Sequence, residues 1–186
     1  MLYSHNLEAV TMTRSVSRYF VLGGFCGQLA IRFLLAIAQI SLDYYNIAIP
    51  VCNLLLKCSA MIALIGFIMI YKTDRNVWTL TTSILLLLSV SMDLFVGRSV
   101  IAPSSIIYTI LGNAYLLAWA YKLKETRTTV SLMLVLAFSW MLVNDLFLNH
   151  IDFGQLIRIN YLMNWVSVYV VHVIATYAEM WENYDK

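Results

Sequence analysis

"TSILLLLSVSMDLFVGRSV" occupies Thr82 to Val100. Its first half is apolar or small on every side, without the period-two alternation that a barrel strand needs. Extended back to Val77, the run is long enough for a helix crossing a bilayer, which takes about 20 apolar residues. It ends on Asp93-Leu94-Phe95, and the same triplet closes a second apolar run in "LVNDLFLNHI", Leu142 to Ile151. An aspartate at the end of a greasy segment, twice over, sets the frame for the rest of the chain.

Five further stretches resemble the first. The apolar runs predict helices over about 20–42, 46–71, 77–97, 101–121, 129–149 and 155–178. Composition agrees: 61% of the 186 residues are hydrophobic and 12% are charged, against about 25% charged in a soluble domain. The expectation is an all-α, polytopic membrane helix bundle of six transmembrane helices. A short amino-terminal segment, 1–18, precedes the membrane domain at 19–178, and a tail, 179–186, follows it. The first eighteen residues carry Glu8, Arg14 and Arg18 without an apolar core, so no cleavable signal is expected. A formal charge of +2 gives no reason to expect nucleic acid as a partner.

Lysine and arginine set the orientation. Arg14, Arg18, Lys72, Arg75, Lys122, Lys124, Arg127 and Lys186 gather on one side, and Arg98 with Arg158 on the other. By the excess of positive charge in cytoplasmic loops, both termini are cytoplasmic and the expected location is the cell inner membrane. Pro50 and Pro103 are expected in helical first turns, where a missing N–H costs nothing.

Asp43, Asp93 and Asp145 fall near the outer ends of the odd-numbered spans, and Asp43 to Asp93 is fifty residues, as is Lys72 to Lys122. Three tandem helical hairpins would produce this spacing. So would bilayer thickness alone, because six spans with short loops acquire the same period.

Helical periodicity explains the aspartates better. In the first span Gln28, Arg32, Gln39 and Asp43 fall within about 60° of one another at 100° per residue. In the second, Asn46, Asn53 and Lys57 share a narrower arc; Thr82, Ser89 and Asp93 share one in the third. Tyr161, Asn164 and Ser167 are the polar set of the sixth span, and Asn113 is a polar residue within the fourth. Such stripes face other helices or a hydrated cavity. Gln28, Arg32, Asn53 and Lys57 form the expected mid-membrane polar site, with Gln39, Asn113 and Asn164 as further polar lining. Asp43, Asp93 and Asp145 form the expected outer mouth, with Arg98 and Arg158 as counter-charges. Arg32 and Lys57 each carry an insertion cost of roughly 2.5–3.5 kcal/mol. Pairing with Asp93 or Asp145, or an anionic ligand, would offset it; locking helices together is the structural alternative.

No catalytic motif is present: the chain lacks a P-loop, G-x-S-x-G and H-E-x-x-H. Cys26, Cys52 and Cys58 form no C-x-x-C pair, and three histidines at different depths argue against haem or zinc. No enzyme activity, metal or cofactor is expected. Two functions fit: a small transporter or channel subunit with a polar, partly cationic path for a polar or anionic solute, or a non-catalytic immunity, exclusion or accessory protein that binds another membrane protein laterally. The bilayer is the first partner in both, joined by another membrane protein or a second copy of the chain. Inward polar stripes favour transport; outward ones favour a partner helix.

Overall fold

The computed structural model describes the backbone of residues 2–38, 42–95, 102–144 and 155–181, and the side chains of 15–37, 50–92, 107, 109–144 and 165–180. Among them every regular element is an α-helix. The elements are α1 (Leu2–Ala38), α2 (Leu42–Asp74), α3 (Val77–Phe95), α4 (Ala102–Asn113), α5 (Tyr115–Leu123), α6 (Thr128–Val143) and α7 (Gln155–Trp181). Two segments are long and apolar enough to cross a membrane, Ser15–Ile37 and Pro50–Asp74; Val77–Met92, Thr128–Val143 and Trp165–Met180 are shorter apolar helices.

Helix edges depart from the sequence reading in three places. The helical backbone of α1 begins at Leu2, so residues 2–18 run without a break into the first apolar stretch as far as Ala38. Pro50 lies inside α2, not in its first turn. Its ring removes one backbone donor there, and the apolar segment of that helix begins at this residue. The fourth stretch is two helices: Ala114 interrupts it, with Leu117 N–H bonding to the Ala114 carbonyl at 3.1 Å in a tightened, i→i−3 turn. Just before the interruption, the Asn113 amide donates to the Thr109 carbonyl at 2.9 Å, a side-chain bond that competes with the backbone ladder. Mid-helix tightening of this kind marks hinges. Pro103 is the second residue of α4, as expected.

The α2–α3 link is short and capped. Arg75 ends α2 with φ 48° and donates its N–H to Tyr71 O at 2.8 Å, the left-handed ending more often given to glycine. Asn76 Oδ1 then accepts from Trp78 N–H at 2.8 Å and caps α3.

Each helix packs on its chain neighbour, and α7 returns to α1, so α1, α2, α3, α4/α5, α6 and α7 close a ring. Burial follows the 3.6-residue period. On α1 the buried set is Ser17, Val21, Gly24, Phe25, Gln28, Ile31, Arg32 and Leu35; on α7 it is Trp165, Val168, Tyr169, His172, Ala175, Thr176 and Glu179. The outward faces are apolar instead: Phe33, Leu34 and Ile37 on α1, Leu54, Leu55, Ile62 and Ile65 on α2. Buried polar groups sit within a largely apolar interior, and the many large aliphatic groups outside depart from the soluble pattern.

The tightest joint is α1 on α2. A Cβ at Gly24 would sit 2.5 Å from Ala63 N and 2.7 Å from Ser59 O; one at Gly66 would sit 2.7 Å from Val21 N. Only glycine allows the two backbones this close, as small residues do in membrane helix pairs.

Candidate functional site

The ring encloses a stack of aromatic side chains supplied by four helices. Phe25 of α1 is central: its ring centroid lies 6.2 Å from Phe67 of α2, 5.6 Å from Trp119 of α5, and 4.6 Å from His172 of α7. Trp165, Tyr169 and His172 project from one side of α7 because they are spaced by four and three residues. Trp165 and Tyr169 are 6.1 Å apart and stacked; Tyr169 and His172 are 4.7 Å apart and nearly parallel.

Arg32 meets this stack. Its guanidinium carbon lies 4.3 Å from the Trp165 ring centroid and 4.6 Å from that of Tyr169. The residue is 7% exposed, and Gln28, one turn earlier on the same face, is 5% exposed. Among the described residues no carboxylate pairs with Arg32, and its buried Nε has no hydrogen-bond partner. The energetics are specific. A desolvated cation–π contact contributes about 2 kcal/mol, and Arg32 makes two of them. A buried N–H left unpaired costs about 1–3 kcal/mol more. The rings hold the cation by its π-attraction.

His172 is wholly buried. Its Nδ1 lies 2.7 Å from the Val168 carbonyl, which only accepts, so Nδ1 carries the proton. In the neutral imidazole Nε2 accepts from the Tyr115 hydroxyl, 2.6 Å away. Both ring nitrogens are thereby satisfied in the neutral imidazole. This joins α7 to α5 one residue beyond the Ala114 interruption.

Farther along α7, Glu179 accepts from Trp119 Nε1 at 3.1 Å and from Lys122 Nζ at 2.5 Å. Ser131 of α6 donates to the Ala120 carbonyl at 2.7 Å. Large side chains therefore fill the interior from Phe25 to Leu123, and Trp119 at its centre is fully buried.

Of the residues expected at mid-membrane, Gln28 and Arg32 lie on the inner face of α1, Asn53 is exposed on α2, and Lys57 is half-buried there. Asn113 is buried at the α4–α5 break. Gln39, Arg98 and Asp145 lie outside the described residues, as do the side chains of Asp43, Asp93, Arg158 and Asn164. Ser167 is exposed, and the side chains of Tyr161 and Asn164, read with it as the polar set of the sixth span, lie outside the described residues. Sequence reading by polar stripes passed over Phe25, Tyr115, Trp119, Trp165, Tyr169 and the Lys122–Glu179 pair. One signal was present: the Trp165, Tyr169, His172 spacing is itself a helical stripe, carried by aromatic rings.

No protein-family model, curated protein or solved structure matches the chain.

Proposed function

We propose that the chain is a small transporter or channel subunit of the cell inner membrane, crossing it six times with both termini cytoplasmic, and that Arg32 holds an anionic or polar solute within the bilayer. One observation carries the reading: a guanidinium more than nine-tenths buried, met by aromatic rings and lacking an acid among the described residues. Intramembrane cations are costly, and where they persist they mark solute paths and ligand counter-charges. The interrupted α4–α5 helix fits the same class, since discontinuous helices line transporter sites. On this reading Asp43, Asp93 and Asp145, with Arg98 and Arg158, form the outer mouth. The packed Phe25–Trp119–His172 layer closes the cytoplasmic side. The three helix pairs correspond to three hairpins of parallel orientation. No catalysis is assigned.

Flux of small anions into liposomes carrying the purified chain is the test. Arg32→Ala should abolish most of any flux, and Lys57→Ala, at a half-buried position, should reduce it less. Flux that survives Arg32→Ala, or liposomes no leakier than empty ones for any anion, would dismiss the reading.

A second reading draws on Asn53. An exposed amide beside Val51, Leu54 and Leu55 suits hydrogen bonding to a neighbouring helix, as in a protein that acts by lateral binding. Crosslinking from Asn53→Cys in native membranes separates the two: one dominant adduct favours the partner role, and its absence with intact flux favours transport.

A further inference from the structure

Resting on the reading of Arg32 as an anion site, we propose that this site selects a monovalent carboxylate attached to an apolar body, such as an aromatic or short aliphatic acid. Charge sets the valence. Arg32 contributes the positive charge at these rings, and Lys57, half-buried on α2, makes no cation–π contact with them among the described residues; His172, wholly buried with Nδ1–H on the Val168 carbonyl, is counted in its neutral form; and Lys122 is matched by Glu179. A monoanion brings the described site to neutrality, whereas a dianion such as sulfate would leave an unmatched negative charge among aromatic rings.

Shape sets the group. The rings of Trp165 and Tyr169 lie against the guanidinium carbon, and the buried Nε–H is among the donors at the guanidinium edge. A carboxylate matches that planar edge with two parallel acceptors. Chloride, a single sphere, does not. The surroundings set the body. Trp165 and Tyr169, with Phe25 behind Tyr169, supply apolar surface beside the cation, so the remainder of the ligand gains by being apolar.

Thermal unfolding of the full chain in detergent, followed by tryptophan emission, tests this at matched ionic strength. Benzoate and decanoate, the first an aqueous and the second a membrane-partitioning source of the same group, are compared with chloride, sulfate and benzyl alcohol. Either carboxylate should raise the midpoint saturably, and the three controls should not. Arg32→Lys keeps the charge but not the planar fork, and should weaken carboxylate binding about tenfold or more while the protein still folds. Tyr169→Leu, which removes one ring, should also weaken it. Sulfate or chloride matching the carboxylates, benzyl alcohol matching benzoate, no shift with either carboxylate, or an unchanged affinity in Arg32→Lys would overturn the proposal. The two levels fail separately. Sulfate flux without carboxylate binding keeps transport and overturns this ligand class; Arg32-dependent carboxylate binding without any flux keeps the site and overturns transport.

Discussion

Adjacent glycines on α1 offer a test of the helix packing with an internal control. Gly23 has nothing within 4 Å of a built Cβ, whereas at Gly24 the same atom meets Ala63 N at 2.5 Å, Ala63 Cβ at 2.7 Å and Ser59 O at 2.7 Å. Replacing either by alanine gains the same helix propensity, about 1 kcal/mol. That gain cancels in the comparison and leaves the steric difference. At Gly24 two of the three obstructing atoms are backbone, which cannot rotate away. Relief requires α1 and α2 to separate by about 1 Å, enough to forfeit a quarter to a half of each dispersion contact along the joint. Overpacking costs about 1–3 kcal/mol, and the backbone contacts place Gly24→Ala at the upper end. At about 2–4 °C per kcal/mol for a chain of this size, Gly24→Ala should melt roughly 6–12 °C below Gly23→Ala. Thermal unfolding in one detergent reads the difference. Gly66→Ala should fall with Gly24→Ala, because its Cβ would lie 2.6 Å from Val21 Cγ2 and 2.7 Å from Val21 N. Equal midpoints for Gly23→Ala and Gly24→Ala would refute the close α1–α2 approach.

Four other outcomes are expected. Glu179→Gln strands Lys122, whose side chain is only 12% exposed, and should destabilise by about 3–5 kcal/mol; adding Lys122→Met should recover part of that loss in a double-mutant cycle. Tyr115→Phe removes the donor to His172 Nε2 and should cost about 1–3 kcal/mol by chemical denaturation, with wild-type stability showing that this hydrogen bond contributes nothing. Arg75→Gly should stabilise by about 1 kcal/mol, since φ 48° strains a residue with a Cβ; a lower midpoint would mean that the arginine side chain outweighs the backbone. If the proposed topology holds, reporter fusions after Lys72 and Lys124 read cytoplasmic and those near Pro103 and Asp152 read external, and an external carboxyl end would break the six-span count.

The positions of the helices were largely legible in the sequence. The reading of 77–97 meets α3 at Val77–Phe95, and that of 155–178 meets α7 at Gln155–Trp181. The reason is physical: long apolar runs make helices wherever backbone groups must pair within their own segment, and local turn chemistry such as Asn76 ends them. The inward face of α1 was legible too, because a stripe holding Gln28 and Arg32 is too polar to leave outside. What the sequence did not determine is which side of a mostly apolar helix turns inward. Along α6, "TTVSLMLVLAFSWMLV", leucines and valines occupy all sides, yet Leu134, Ala137, Phe138 and Met141 are buried while Leu132, Leu136 and Val143 are exposed. On the proposed reading, lipid lies outside and hydrocarbon side chains lie inside, so hydrophobicity gives no preference between the faces and packing against neighbours decides. The same holds for α2, where Asn53 is exposed although it shares an arc with Lys57. It holds most for the partnerships across the ring. Arg32 reaches Trp165 and Tyr169, and Lys122 reaches Glu179, only because α7 closes onto α1 and α5 across a sequence separation of more than a hundred residues in the first case and 57 in the second. Sequence periodicity places a residue on a face of its own helix; which helix that face meets is fixed by the closure of the ring.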